Sequence, residues 1–174
     1  AHTVFGVILG TGVGAGIVIG KKIHTGKNKI AGEWGHNPLP WAHEGELPGK
    51  KCYCGRSGCL ETFISGPAIE REFKNLQGRN LNMKNIVEES GAGNLKAEQV
   101  IRNLEDRLAR ALAHVINILD PDSIVLGGGL SNIDRLYSNV PKIWGEYIFS
   151  DDVSTVLSKA RFGDSSGVRG AAWL

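Results

Sequence analysis

The three cysteines of this 174-residue chain lie close together, at positions 52, 54 and 59. The spacing C-x-C-x4-C places three thiolates on one tight loop, and Gly55 and Gly58 permit the positive φ angles that such a loop needs. Thiolates at this spacing are typical metal ligands. Because a structural zinc ion takes four ligands in a tetrahedron, the pattern predicts zinc bound by the three cysteines and one further side chain.

Two histidines upstream of the cysteines are candidates for the fourth ligand. His36 lies in a Gly-His-Asn-Pro segment, where glycine and proline favour a rigid turn, whereas His43 is flanked by acidic residues. The alternative is a disulfide with one spare thiol, but Cys52 and Cys54 would close a strained ring and no secretory signal indicates an oxidising compartment. The predicted ligands are therefore His36, Cys52, Cys54 and Cys59.

A glycine-rich segment at residues 10–16 is a second candidate for chemistry. It follows an apolar run, residues 4–9, that is typical of a buried strand. Its pattern satisfies a permissive dinucleotide fingerprint, which requires a helix after the loop. Residues 17–23 are instead β-branched and broken by a Gly-Lys turn, which predicts a strand. We therefore expect a loop between two strands, with backbone N–H groups and the Thr11 hydroxyl free to bind phosphate oxygens. A tight hairpin without a ligand is the alternative.

A triple glycine, Gly127–Gly129, follows a second predicted strand at residues 123–126. The helix before this strand is the clearest in the chain, because residues 98–119 carry apolar side chains at three-and-four spacing. Ser131 and Asp134 have the spacing of a capping box, which predicts that another helix starts there. A glycine turn between strand and helix suits a nucleotide, and simple turn chemistry is the alternative.

A long segment without regular periodicity, residues 24–50, precedes the cysteines and predicts an ordered functional loop. It contains Glu33, and Glu61 follows the cysteines closely. Carboxylates in such positions either accept hydrogen bonds from sugar hydroxyls or are solvated surface acids. Ser65-Gly66-Pro67 predicts the start of a helix, and residues 153–159 predict a last strand.

Composition narrows the class of protein. A net charge of +2 with 22% charged residues and no charge run does not indicate binding to nucleic acid. The apolar runs are too short for a membrane span, so we expect a cytoplasmic protein without membrane contact. The 24 glycines fall in clusters beside apolar runs, where they favour ligand loops.

Taken together, the glycine segment, Glu33-Trp34-Gly35-His36, the C-x-C-G-x-x-G-C-x-E motif at 52–61, residues 120–129 and Gly163–Gly167 resemble the ROK family of sugar kinases. Within the family, residues 32–41 and 60–66 are most similar to bacterial fructokinases and mannokinases. The resemblance implies an α/β, actin-like ATPase (ribonuclease H-like) fold of two lobes. It also implies ATP with Mg²⁺ in the cleft, a hexose substrate, fructose or mannose first, and a homodimer.

Carried over residue by residue, the resemblance makes residues 1–174 the C-terminal lobe, with a zinc loop at 32–61 and a final helix from about 166 that packs toward the N-terminal lobe. It implies that Glu33, His36 and Glu61 face the sugar, and that Gly127, Gly128 and Gly129 approach the adenosine. The residues implied to take the ATP phosphates are Gly10, Thr11, Gly12, Val13, Gly14, Ala15, Gly16 and Ile17.

The chain departs from the family pattern in one respect. The N-terminal phosphate loop and the aspartate that acts as general base in the family have no counterpart in these residues. Phosphoryl transfer needs both, so the chain alone is expected to be inactive, with Asp164 the first candidate should a base lie within it. Two other classes stay open: a sugar-responsive ROK repressor, which has no need of a loop competent for ATP, and a zinc-stapled interaction module.

Overall fold

The computed structural model describes residues 1–163. Five strands form one mixed sheet: β1 Thr3–Leu9, β2 Val13–Ile19, β3 Lys22–His24, β4 Ser123–Gly127 and β5 Val156–Lys159. The order across the sheet is β3-β2-β1-β4-β5. β1 pairs antiparallel with β2 and β2 antiparallel with β3, whereas β1, β4 and β5 run parallel. The predicted strand-loop-strand at residues 4–23 is therefore confirmed.

In the described part of the chain, five α-helices accompany the sheet: α1 Glu61–Ile64, α2 Gly66–Gln77, α3 Met83–Gly91, α4 Leu95–Leu119 and α5 Arg135–Trp144. The two predicted helices at the Ser-Gly-Pro segment and at residues 98–119 correspond to α2 and α4. The Ser65 hydroxyl caps α2 by accepting a hydrogen bond from the Ala68 N–H at 3.4 Å. Asn94 caps α4, which ends where Asp120 adopts φ +45 and Pro121 follows.

The core lies between one face of the sheet and α4. Phe5, Val7 and Leu9 of β1 are buried and belong to the same apolar cluster as the buried stripe of α4. Ile8 of the opposite face is 39% exposed, which corrects the prediction of a strand buried on both sides. The apolar sequence of β1 does not distinguish its two faces, and only the placement of α4 does.

The capping box predicted at Ser131 and Asp134 is not formed. Gly129–Asn132 is a 3₁₀ turn, and the Ser131 hydroxyl donates to the Gly128 carbonyl at 2.7 Å. Asp134 precedes α5 without a side-chain capping bond. A local serine-to-backbone hydrogen bond thus competes successfully with the cap. The triple glycine leads from β4 into a 3₁₀ turn rather than directly into an α-helix.

The long loop between β3 and α1 is anchored on α4 by a buried ion-pair network. The fully buried Arg110 donates to both carboxylate oxygens of Glu46 at 2.9 Å and to the Trp41 carbonyl at 2.9 Å. Arg107 adds a bond to Glu46 at 2.7 Å. Burial alone would raise the pKa of Glu46, but the hydrogen bonds from Arg110 and Arg107 lower it to about 2. These charged contacts hold the loop that carries His36 in one position.

The last predicted strand is shorter than expected, since β5 begins at Val156 rather than at residue 153. Of the Gly163–Gly167 motif only Gly163 is described. Asp164 and the helix predicted from about 166 lie outside the described residues. None of the helices within residues 1–163 combines the length and apolar character needed to cross a bilayer.

Candidate functional site

The structure brings the four predicted metal ligands together. The ligand atoms of His36, Cys52, Cys54 and Cys59 all lie within 4.8 Å of one another. His36 Nδ1 is 3.4 Å from Cys52 Sγ, and Cys54 Sγ is 3.6 Å from Cys59 Sγ. The other candidate, His43, lies away from this cluster with its Nε2 3.6 Å from an Asp106 carboxylate oxygen.

Backbone hydrogen bonds shape the loop that carries the cysteines. The Cys52 N–H donates to the Arg56 carbonyl at 2.8 Å, and the Gly58 N–H donates to the Lys50 carbonyl at 3.0 Å. Gly55 and Gly58 adopt φ +89 and +74, the left-handed region that favours glycine. The chain thereby turns back within eight residues and faces its three sulfur atoms toward one another.

His36 is placed by a 3₁₀ turn, Trp34–His36, that packs against β2. Trp34 is buried, and its ring meets that of Phe5 edge-on at 5.6 Å. A Cβ on Gly35 would lie 1.9 Å from the Val13 carbonyl oxygen, so only glycine fits this contact. The Glu-Trp-Gly-His segment therefore fixes His36 through a buried indole on one side and a close backbone approach on the other.

The cluster fits a tetrahedral zinc ion. With Zn–S bonds of about 2.3 Å, two sulfur ligands lie about 3.8 Å apart, close to the separation found between Cys54 and Cys59. The thiols differ in acidity: a hydrogen bond from the Arg56 N–H is the main cause that lowers the pKa of Cys54 to about 7, whereas burial raises the pKa of Cys59 to about 12. Three thiols and an imidazole nitrogen are the donor set that zinc favours over magnesium or calcium.

Glu61 joins the cysteine loop to the glycine loop. Its Oε2 accepts a hydrogen bond from the Val13 N–H at 3.0 Å. A Cβ on Gly12 would lie 2.8 Å from the same oxygen, so the absence of a side chain at residue 12 allows the carboxylate to approach. Glu61 is thus not a solvated surface acid. Glu33 is exposed and directly precedes the turn that carries His36.

The hydrogen bonds of the glycine segment correct part of its interpretation. Only residues 10–12 form the loop, because β2 begins at Val13. The Gly10 N–H donates to the Gly12 carbonyl at 3.0 Å, the Val13 N–H to Glu61 and the Ala15 N–H to the Gly32 carbonyl at 3.1 Å. These three backbone donors are therefore not free for a phosphate, and the prediction that the whole segment offers free N–H groups is wrong for them.

The two glycine clusters lie side by side at one edge of the sheet. Ile8 and Gly127 are register partners in the parallel pair of β1 and β4, so the loops that follow both strands are neighbours. Gly128 has φ +81, and a Cβ there would lie 2.4 Å from the Leu9 carbonyl oxygen. Ligands of α/β sheets bind outside the carboxyl ends of the parallel strands, where these loops are.

Two cavities open next to the glycine loops. An apolar groove of about 440 Å³ lies beside Gly129 and is lined by α3 and the 3₁₀ turn, with Met83, Val87, Leu130 and Ile133 as its apolar residues. A smaller cavity of about 190 Å³ lies between the glycine loop and the cysteine loop. The side chains that form it include Thr11, Cys52, Tyr53, Glu61 and Arg71.

Tyr53 is the site residue that sequence reasoning missed. Its hydroxyl lies 2.8 Å from His36 Nε2, on the side of the imidazole opposite the cysteines. The signal available in the sequence is its position between two predicted metal ligands, where an aromatic side chain is held beside the cluster.

Comparisons with known proteins identify the family of the chain. The model of the ROK family matches residues 1–174. The chain is 38% identical over 176 residues to the N-acetyl-D-glucosamine kinase of Yersinia enterocolitica, covering 99% of this chain and 58% of that protein. The N-acetyl-D-glucosamine kinase of Vibrio vulnificus is 38% identical over 178 residues, covering 100% of this chain and 59% of that protein. The chain therefore spans less than two thirds of the length of these relatives.

Solved structures with a similar fold include a ROK hexokinase from Thermus thermophilus, with TM-score 0.84 and 29% identity over 98% of this chain and 56% of that one. A ROK glucokinase from Streptomyces griseus, in complex with glucose and AMPPNP, has a TM-score of 0.84 and 27% identity. The match covers 98% of this chain and 59% of that one. A ROK transcriptional regulator, a homologue of the Escherichia coli MLC protein, has a TM-score of 0.82 and 27% identity. The match covers 99% of this chain and 45% of that one. The predicted α/β fold of the actin-like ATPases is confirmed.

Proposed function

The chain belongs to the ROK family, and we propose that it is the C-terminal lobe of a two-lobed sugar kinase that transfers a phosphoryl group from ATP to a hexose. The observation that carries this proposal is the hydrogen bond from the Val13 N–H to Glu61. It ties the cysteine loop, with its sugar-facing candidates, to the glycine loop, with its phosphate-facing candidates. Phosphoryl transfer requires these two kinds of group to be held next to each other.

The edge of the sheet supports the nucleotide half of the proposal. The Thr11 hydroxyl and the Gly12 N–H lie at the tip of the β1–β2 turn, where they would donate to ATP phosphates. Gly127–Gly129 would allow the adenosine to approach the backbone, and the apolar groove beside Gly129 would receive the base. Mg²⁺ would enter with the nucleotide and neutralise phosphate charge.

The cysteine cluster supports a structural zinc ion. His36, Cys52, Cys54 and Cys59 would complete four-coordination and leave no open position for a catalytic water. Bound zinc would supply rigidity to the loop rather than chemistry at the sugar. The chain's own residues then do the positioning, because His36 would be held through Nδ1 and would present Nε2 to the cleft.

The sugar half of the proposal rests on Glu33, His36 and Glu61. Within residues 1–163 the hydrogen bond of Glu61 engages Oε2, which leaves Oε1 to accept from a sugar hydroxyl. Fructose and mannose remain the sugars that the sequence resemblance predicts. N-acetyl-D-glucosamine joins them, since the two curated relatives bear its name at 38% identity. That the protein forms a homodimer, lies in the cytoplasm and does not bind nucleic acid also remains a prediction.

A sugar-sensing repressor is the second candidate, because the regulator structure superposes on this lobe with TM-score 0.82. The two functions differ in their use of the glycine loop. A kinase must bind ATP there, whereas a repressor needs the sugar alone. The open turn at residues 10–12, which the structure places beside Glu61, favours the kinase.

Replacing Glu61 by glutamine or by alanine should change the KM values for sugar and ATP in different ways. Glutamine keeps a carbonyl oxygen for the Val13 N–H but removes the charge that faces the sugar, so Glu61→Gln should raise the sugar KM about 10- to 100-fold with little change for ATP. Glu61→Ala also releases the glycine loop and should raise both KM values. A glutamine variant with a raised KM for ATP alone would assign Glu61 to the nucleotide instead.

Titration calorimetry on the two-lobed protein tests the proposal. The probes are ATP with Mg²⁺, N-acetyl-D-glucosamine, mannose and fructose, each added alone and then in pairs. We expect binding of the nucleotide and of at least one sugar. Sugar binding without any nucleotide binding would favour the repressor, and binding of neither would leave only a zinc-stapled interaction module.

A further inference from the structure

Tyr53 occupies the hydrogen-bonding position at His36 Nε2. Its hydroxyl lies 2.8 Å from His36 Nε2, within the range of a good hydrogen bond. The phenol ring meets the imidazole edge-on, with ring centroids 4.9 Å apart and an interplanar angle of 87°. The same side chain lines the small cavity between the glycine and cysteine loops.

The direction of this hydrogen bond follows from the metal cluster. His36 Nδ1 faces Cys52 Sγ at 3.4 Å, whereas Nε2 faces the Tyr53 hydroxyl, so Nδ1 is the nitrogen that would bind a metal. A neutral imidazole bound through Nδ1 carries its proton on Nε2. Nε2–H is therefore the donor, and the Tyr53 oxygen is the acceptor.

One N–H group makes one good hydrogen bond. If His36 Nε2 contacts the sugar, as the proposed function holds, then a sugar hydroxyl and the Tyr53 hydroxyl compete for the same proton. The inference rests on that proposed function for the identity of the ligand, but the contact between Tyr53 and His36 is present without it.

The Tyr53 side chain is able to rotate away from His36. It is 83% exposed, so little packing holds its ring. Within residues 1–163, its hydroxyl bonds to His36. Its backbone lies between Cys52 and Cys54, so metal binding would fix the main chain while χ1 and χ2 stay free to turn.

We propose that Tyr53 is a gate over the sugar site: its hydroxyl satisfies His36 Nε2 in the empty site and is displaced when a hexose binds. The gate lowers sugar affinity by the free energy of the bond that must be broken. Tyr53 is thus a positioning residue that acts through His36, and not a group that touches the reacting atoms.

The variant Tyr53→Phe tests the gate, because it removes the competing oxygen and keeps the ring. In the two-lobed protein loaded with zinc, Kd for the sugar that the wild type binds best among N-acetyl-D-glucosamine, mannose and fructose should fall roughly two- to tenfold. Tyr147→Phe, in a tyrosine outside the site, is the matched control and should leave Kd unaltered.

A second measurement follows the gate itself. In protein labelled with ¹⁵N-histidine, the Nε2–H resonance of His36 should move in Tyr53→Phe without sugar, and saturating sugar should bring the wild type and the variant to a common position. Zinc content measured on the same samples confirms an intact loop.

The outcomes separate the gate from the proposed function. Tighter sugar binding by Tyr53→Phe supports the gate. Unchanged or weaker binding, with normal binding by the wild type, overturns the gate and leaves the kinase intact, since Tyr53 is then either idle or a direct sugar contact. Failure of the wild type and the variant to bind any of the three sugars overturns both.

Discussion

Replacing Cys54 by serine is expected to abolish zinc binding, from one ion per chain to less than about a tenth, because three remaining ligands bind the ion far more weakly than a closed tetrahedron. Cys54 is the exposed member of the cluster, so its replacement removes a ligand without opening a cavity in the core. The exposed tip of the cysteine loop, residues 53–57, should lose order as the metal leaves, because it has no apolar burial of its own.

Elemental analysis after gel filtration measures the zinc content, and limited proteolysis between residues 50 and 59 measures the order of the cysteine loop. His36→Ala should behave like Cys54→Ser. His43→Ala is the matched control for metal content, since its imidazole contacts Asp106 rather than the cluster. Full zinc occupancy in His36→Ala would show that another residue is the fourth ligand.

Replacing Gly128 by alanine is expected to be the most damaging single change at the sheet edge. The residue has φ +81, a conformation that side chains rarely adopt, and a Cβ would lie 2.4 Å from the backbone oxygen of Leu9. The Leu9 backbone is held in the sheet and cannot move aside as a flexible side chain could. We expect a loss of about 3 kcal/mol or more in the free energy of unfolding, together with loss of ATP binding in the two-lobed protein.

Gly129→Ala is the matched control for stability. Gly129 lies one residue further along, and a Cβ there meets no atom within 4 Å. Its substitution should change the free energy of unfolding by less than about 0.5 kcal/mol. Urea unfolding curves of the two variants and the wild type make the comparison. Equal stabilities for both variants would mean that the close approach of β1 and β4 is not required.

Local patterns predicted the elements that carry the site. The Gly-Lys turn after a β-branched run indicated the hairpin of β2 and β3, and the spacing of Cys52, Cys54 and Cys59 indicated that these side chains converge. In both cases neighbouring residues decide the conformation. Local sequence is sufficient for such features because turns and short loops are governed by φ preferences and hydrogen bonds within a few residues.

Contacts between distant segments could not be predicted in the same way. Glu61 and Val13 are 48 residues apart, and their hydrogen bond depends on how α1 docks against the hairpin. The local sequence around Glu61 is the same whether its carboxylate is solvated or hydrogen-bonded to a distant backbone. The hydroxyl of Ser131 shows the same ambiguity locally, since capping a helix and bonding to the Gly128 carbonyl suit the same residue type.

A coupled assay for ADP release tests most directly the proposal that these residues form the C-terminal lobe of a hexose kinase stabilised by zinc. Residues 1–174 and the two-lobed protein are assayed side by side with ATP, Mg²⁺ and N-acetyl-D-glucosamine, mannose or fructose. We expect turnover of at least one sugar by the two-lobed protein only, lost when Cys54 is replaced by serine. Sugar-independent ADP release, or no turnover with any of the three sugars by zinc-loaded two-lobed protein, would contradict the claim.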